Sequence, residues 1–185
     1  MAIEQGFHLF RAVATNFRGW VKAENGDVGE GISLMRGGSA AFRATGAQVW
    51  TPHLLVLLAR AYESLGEVED AVTQLDDALQ IVERTGERWL MGELFRHKGQ
   101  LVLRQGHSES AEDLYLKALN ITQEQEAKLW ELRAALSLAR LRRDQGRCAE
   151  ARDVLAPVYG WFTEGFDTPD LKEAKALLDA RGARA

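Results

Sequence analysis

The stretch LARAYESLGEVEDAVTQLDDALQIVE, residues 58–83, decides the fold. It places one glycine, Gly66, between two segments whose apolar residues recur at helical spacing. Glycine suits the end of a helix, because without a Cβ it adopts the left-handed backbone conformation at little cost. We therefore predict two helices joined into a hairpin at Gly66.

The same turn recurs at a fixed period along the chain. Its glycines are forty residues apart, at Gly26, Gly66, Gly106 and Gly146. Three further columns hold small side chains seven residues before, five after and twelve after each turn. They are Gly19, Ala59, Gly99 and Ala139; Gly31, Ala71, Ala111 and Ala151; and Gly38, Ala78, Ala118 and the slightly larger Val158. A generic helical bundle predicts amphipathic helices but no fixed period, so these columns indicate a repeat protein.

Two columns of bulky residues accompany the small ones. Met35, Leu75, Tyr115 and Leu155 stand nine residues after the turns, where we expect them to fill the space between helices. Phe10, Trp50, Leu90 and Trp130 stand sixteen residues before the turns, and we expect each to be a large apolar anchor.

The pattern predicts four hairpins and one terminal helix. We predict first helices near 5–25, 47–65, 88–105 and 127–145, and second helices near 28–45, 68–85, 108–125 and 148–163. A last helix is predicted at 169–181, with the Thr168 hydroxyl as N-cap and Pro169 at the first position. Its apolar stripe should cover the flank of the fourth hairpin, with Phe162 and Phe166 beneath it. Four glycines inside residues 28–45 predict that the first hairpin is the loosest.

The columns resemble those of a tetratricopeptide repeat over residues 5 to about 165. The chain departs from the common form in its period, forty residues instead of thirty-four, and lacks the proline that often follows each repeat. The resemblance implies an all-α fold, a right-handed superhelix of four hairpins plus the capping helix. It also implies a single domain, 1–185, with repeats at about 5–46, 47–86, 87–126 and 127–166 and the cap at 169–181.

A second resemblance covers most of the chain from about residue 50. LWELRAALSLARLRRDQGRCAEARDVLAPVYGWFTEGFDTPDLKEAKALLD, residues 129–179, and LDDALQIVERTGERW, residues 75–89, resemble the tetratricopeptide tails of large bacterial signalling proteins. Those proteins join an adenylate/guanylate cyclase or a winged-helix domain to an ATPase-like module. The resemblance implies a non-catalytic protein–protein or intramolecular interaction module, the regulatory tail of such a protein. The alternative is a stand-alone adaptor that binds an acidic peptide.

Composition excludes several classes of function. The net charge of −4 and pI of 5.6 disfavour nucleic-acid binding, which needs a basic surface. No apolar run is long enough to span a membrane. A lone cysteine, Cys148, forms no intrachain disulfide, and we predict a cytoplasmic protein.

The first predicted helix carries a heavy apolar load, including Ile3, Phe7 and Phe10. Either further repeats or a partner covers it, with a homodimer through the N-terminal hairpin as one possibility, or the helix is merely well packed.

No catalytic, metal or cofactor motif is found, so we expect no enzyme and no cofactor. The four histidines lack metal-ligand spacing. We attribute Cys148 to packing, because it aligns with Val28, Val68 and Ser108.

The remaining candidate is a binding surface. The first helices of stacked hairpins line a concave groove, and several polar or aromatic positions are predicted to face it. They are Trp20, His53, Arg60, Arg96, Gln100, Arg133, Arg140 and Arg143. Guanidinium groups suit the capture of carboxylates, so an acidic peptide segment or another part of the same polypeptide is the expected ligand. The competing explanation is structural: Arg60 could pair with Glu63, and Arg143 could offset a helix dipole.

Overall fold

A computed structural model describes residues 7–180, and within them every regular element is helical. Ile3 and the predicted start of the first helix lie outside the described residues. The chain divides into two compact units, one up to Leu90 and one from Met91. This division falls within four residues of the predicted boundary between the second and third repeats.

The first unit consists of two helix hairpins. Its helices are α1 (His8–Glu24), α2 (Val28–Ala44), α3 (Thr51–Ser64) and α4 (Val68–Thr85), followed by a short 3₁₀ turn at Arg88–Leu90. Helix α1 packs on α2 and α3 on α4, and α3 also packs on the preceding hairpin.

The second unit repeats this arrangement and adds the terminal helix. Its helices are α5 (Met91–Arg104), α6 (Ser108–Glu124), α7 (Lys128–Asp144), α8 (Cys148–Tyr159) and α9 (Pro169–Asp179). Helix α5 packs on α6, α7 on α8, and α9 on both α7 and α8. The predicted all-α hairpin fold is confirmed.

The turn glycines have the backbone conformation that the period predicts. Their φ angles are +95° at Gly26, +78° at Gly66, +89° at Gly106 and +78° at Gly146. At the first turn the N–H of Asp27 donates to the carbonyl of Lys22 at 3.0 Å, a bond that closes the helix end in a Schellman-type motif. Each first helix therefore stops at its glycine and the chain reverses at once.

The small-residue columns lie where the two helices of a hairpin touch. A Cβ on Gly19 would stand 2.6 Å from the carbonyl oxygen of Gly31, and one on Gly38 would stand 2.5 Å from Nδ2 of Asn16. The equivalent alanines of the later hairpins, such as Ala71 and Ala111, are fully buried. Glycines within α2 therefore give α1 and α2 a close contact, and the looseness of the first hairpin stays a prediction.

The expected column of large apolar anchors is wrong at its first two positions. Phe10 is 65% exposed and Trp50 is 49% exposed, whereas Leu90 is buried. Trp50 lies outside a helix, with φ of +72°, because α3 begins at Thr51 instead of residue 47. Its side chain is therefore half exposed, whereas the prediction placed it on the buried face of a helix.

The last helix begins at Pro169 as predicted, but its capping differs. The Thr168 hydroxyl donates to the carbonyl of Gly165 at 2.7 Å and makes no capping bond. Leu171 and Ala174 of this helix are buried. Phe166, which was expected beneath the helix, is instead 45% exposed and contacts the ring of Tyr159. Helix α8 ends at Tyr159, before the predicted residue 163.

Candidate functional site

The predicted groove positions of the first unit fall into two small groups. In one, the indole N–H of Trp20 donates to Glu24 at 3.0 Å, and Arg60 donates to the same oxygen at 3.4 Å. Arg60 and Glu24 are each about half exposed, so this is a surface ion pair that contributes little to stability. The ion pair of Arg60 with Glu24 thus joins α3 to α1, the first helices of consecutive hairpins.

The second group of the first unit is aromatic. His53 lies between two rings, with centroids 6.3 Å from Phe17 and 6.1 Å from Trp89. Burial lowers the pKa of His53, because a less polar environment disfavours the charged imidazolium. Glu87 accepts from the backbone N–H of Trp50 at 3.0 Å and from the indole of Trp89 at 2.8 Å.

Sequence reasoning did not predict the aromatic group, although a signal was present. Phe17, His53 and Trp89 are spaced by thirty-six residues, one period less one helical turn. Glu24 and Arg60 have the same spacing. The spacing therefore marks residues that meet one repeat apart, α1 with α3 and α3 with the 3₁₀ turn at Arg88–Leu90.

In the second unit, the arginine positions converge on a buried carboxylate. Glu93 is 6% exposed, and Arg96 donates to it from one turn further along α5. Arg133 of α7 lies 3.5 Å from the other oxygen of Glu93 and donates to Asp170 of α9 at 3.0 and 3.1 Å. Burial disfavours the charge of Arg133, but Asp170 and Glu93 outweigh that effect and raise its pKa.

Arg140 lies two helical turns after Arg133 on α7. It pairs with Glu173 of α9, and its side chain is 43% exposed. Burial, together with repulsion from Arg96, lowers the pKa of Arg140. Burial also raises the pKa of Tyr115 to about 12, against the opposing charges of Arg96, Arg140 and Arg104. The face formed by Arg96, Arg133 and Arg140, which we name the arginine face, therefore holds three arginines, each paired with a carboxylate of the same unit.

Two predicted positions lie apart from these contacts. Gln100 is half-buried on α5. Arg143 is exposed in the last turn of α7 and lines a depression of about 250 Å³ between α8 and α9. Cys148 lines the same depression and is exposed, so our attribution of this cysteine to packing is wrong.

A second ion network was not predicted from the sequence. Glu112 of α6 accepts from Arg142 at 2.9 Å and from Arg147 at 2.6 and 3.1 Å, and Arg147 also binds Glu150. Arg147 lowers the pKa of Glu112, with a smaller contribution from Arg142. This network ties the fourth turn to the preceding hairpin.

Residues 7–180 contain no cluster of histidine, cysteine and acidic side chains that could hold a metal ion. Over the same range, no helix is long and apolar enough to cross a membrane.

Comparison with known proteins agrees with the hairpin architecture. Residues 50–124 match the tetratricopeptide repeat family. The fold is similar to the nearly identical TPR-like repeats assigned to a kinesin light chain of Podosopora anserina, in two crystal structures, one of them of a single-residue variant. The variant is 21% identical with a TM-score of 0.74, covering 92% of this chain and 84% of that one. The other is 21% identical with a TM-score of 0.70, covering 91% and 83%.

A third solved structure extends the similarity to BtubC (BKLC) from P. vanneervenii, which is 20% identical with a TM-score of 0.72, covering 85% of this chain and 66% of that one. A search of curated proteins finds no match. The fold is therefore that of a helix-hairpin repeat protein of tetratricopeptide type, a scaffold that typically binds other proteins and is not catalytic.

Proposed function

We propose that the chain is a non-catalytic interaction module that works in the cytoplasm as the regulatory tail of a larger signalling protein with a cyclase or ATPase-like domain. The tetratricopeptide match and the repeat fold support an interaction role. The resemblance of residues 129–179 to the tails of such signalling proteins supports the regulatory context.

A second candidate is a stand-alone adaptor for an acidic segment, and the contacts of α9 favour it. Arg133 and Arg140, seven residues apart on α7, hold Asp170 and Glu173, three residues apart on α9. This contact is an internal example of a helix whose carboxylates match the arginine face. In either candidate, the ligand is a segment with two carboxylates about one helical turn apart.

The ion pairs that hold α9 contribute little free energy, so such a segment could replace α9 at a small cost. Asp170 and Glu173 are 25% and 43% exposed, and partly exposed ion pairs contribute only about 0–1 kcal/mol each. Burial of Leu171 and Ala174 adds to the stability of the docked helix, so α9 stays in place until a ligand competes.

Binding of a labelled synthetic peptide of residues 166–180 tests the arginine face. We expect the protein variant Asp170→Asn/Glu173→Gln to bind this peptide more tightly than the wild type, because its own α9 no longer neutralises the arginines. Adding Arg133→Gln and Arg140→Gln to that variant should abolish binding. Fluorescence anisotropy at low and high salt provides the measurement.

Two controls make the result specific. A peptide with both carboxylates changed to amides should bind at least about tenfold more weakly. Arg36→Gln/Arg43→Gln removes an exposed arginine pair of the same spacing on α2 and should change nothing. Equal binding of the acidic and amide peptides would rule out the arginine face as an acid-binding surface.

The two candidates predict different gene structures. An upstream cyclase or ATPase-like sequence in the same reading frame supports the tail, and a complete short gene supports the adaptor.

A further inference from the structure

The first hairpin exposes a helix face that is buried in the second and fourth hairpins. Helix α1 carries four exposed residues along one stripe, Arg11, Ala14, Arg18 and Val21, which we name the open face. Their counterparts forty residues later are Thr51, Leu54, Leu58 and Ala61, each at most 4% exposed. Those in α7 are Glu131, Ala134, Leu138 and Leu141, also at most 4% exposed.

Contacts within each unit show what buries this stripe. Leu54 packs against Phe42 of α2 and Ala12 of α1, and Glu131 accepts a hydrogen bond from Gln123 of α6. Leu178, the counterpart of Arg18 in α9, lines a depression together with α8. In the second and fourth hairpins a helix of the preceding hairpin packs against the stripe, so the equivalent surface of α1 suits a helix.

A groove adjoins the open face. Its volume is about 920 Å³, and it lies between α1 and α2 with Thr15 on one side and Gly37, Ala41 and Ala44 on the other. Arg11 borders both the groove and the open face. Small side chains along α2 leave room for the bulkier residues of an incoming helix.

The charge of this region identifies the occupant. Residues 5–23 and 31–62 contain no aspartate or glutamate. The carboxylates near the first turn are already engaged, since Lys22 binds Asp27 and Glu30. Across residues 7–180, the side chains of Arg11 and Arg18 have no hydrogen-bond or ion-pair partner.

We propose that the open face docks an amphipathic helix of another protein, with apolar residues toward the groove and carboxylates spaced to meet Arg11 and Arg18. Helix α7 provides the precedent, because its two arginines of equal spacing are matched by Asp170 and Glu173 of a packed helix. A symmetric pairing of two copies through α1 would instead bring these cations together, at an electrostatic cost. This surface is separate from the arginine face, and neither proposal depends on the other.

Helix α6 supplies the probe, since it covers the equivalent stripe of α7. A synthetic peptide of residues 108–125 is made with Gln123→Glu, because residue 123 meets Glu131, the counterpart of Arg11. A matched peptide carries Gln123→Lys. Both are titrated against the intact chain by fluorescence anisotropy.

We expect the glutamate peptide to bind the wild type, and to bind Arg11→Glu/Arg18→Glu at least about tenfold more weakly. The lysine peptide should show the reverse preference and favour the charge-reversed protein. Arg36→Glu/Arg43→Glu, with the same charge change on α2, should bind the glutamate peptide as the wild type does. Thermal unfolding by circular dichroism establishes that each variant is folded.

Three results would overturn the proposal. One is the absence of binding to the wild type, which would leave Arg11 and Arg18 as solvent-exposed side chains without a docking role. Another is equal weakening by both arginine pairs, which would indicate non-specific attraction. The third is a stable dimer in light scattering that Arg11→Glu/Arg18→Glu disrupts, which would make a second copy the occupant.

Discussion

Replacing Glu93 by glutamine tests whether the arginine face depends on its buried carboxylate. The substitution preserves the side-chain shape and removes the negative charge between Arg96 and Arg133. Glu93 is 6% exposed and the Arg96 side chain 12%, so water compensates poorly for the lost charge. In the variant, Arg133 still pairs with Asp170. Arg96 loses its ion pair with Glu93 and is still repelled by the nearby charge of Arg140.

The magnitude follows from this burial. Removing one partner of a buried ion pair destabilises a protein by about 3–5 kcal/mol, and the partial exposure of Arg133 places Glu93→Gln near the lower end, about 3 kcal/mol. For a chain of this length, each kcal/mol lowers the melting temperature by about 2–4 °C. We therefore expect a decrease of about 6–12 °C.

Urea and thermal unfolding measure the effect, and a double-mutant cycle isolates its cause. Glu93→Gln and Arg96→Met together should destabilise the chain by at least about 1 kcal/mol less than the sum of the single variants. Glu124→Gln, an exposed substitution on α6, serves as the matched control and should stay within about 0.5 kcal/mol of the wild type. A loss below about 1 kcal/mol for Glu93→Gln, or additive single effects, would refute the buried-pair interpretation.

Neighbouring glycines of α2 should respond to alanine with opposite signs. Gly37→Ala should stabilise the chain by about 0.5–1 kcal/mol because a Cβ there meets nothing within 4 Å, whereas Gly38→Ala should destabilise it because the Cβ would press on Asn16 and α1. Equal signs in urea unfolding would contradict the close approach of α1 and α2. Arg147 lowers the pKa of Glu112, so the stability from this ion network is present above the ordinary carboxyl pKa and is lost as pH falls through the lowered value. The melting temperature of Glu112→Gln should therefore fall less than that of the wild type on acidification, and parallel curves from about pH 6 to 3 would argue against it.

Much of the fold could be predicted because one local rule repeats. Each turn requires a left-handed residue, and Gly26, Gly66, Gly106 and Gly146 report that requirement directly in the sequence. The small-residue columns likewise indicate where the two helices of a hairpin touch, because only small side chains fit there. Trp50 departed from its column because hydrophobicity at a helical spacing says nothing about where the helix begins.

The candidate site was harder to predict because its contacts join residues of different helices. Arg60 meets Glu24 and Arg133 meets Asp170, at separations of thirty-six and thirty-seven residues. These pairs depend on the stagger between consecutive first helices, which sequence periodicity alone does not provide. Whether the groove positions bind a ligand stays a prediction.

The exposed thiol of Cys148 has a practical consequence for following α9. It is the single cysteine of the chain, and it lines the depression that Leu177 and Leu178 of α9 help to form. A maleimide fluorophore would therefore attach at one defined position without any engineered cysteine. Its emission would change as α9 leaves α8, so the wild-type protein carries its own attachment point for a real-time reporter of helix release.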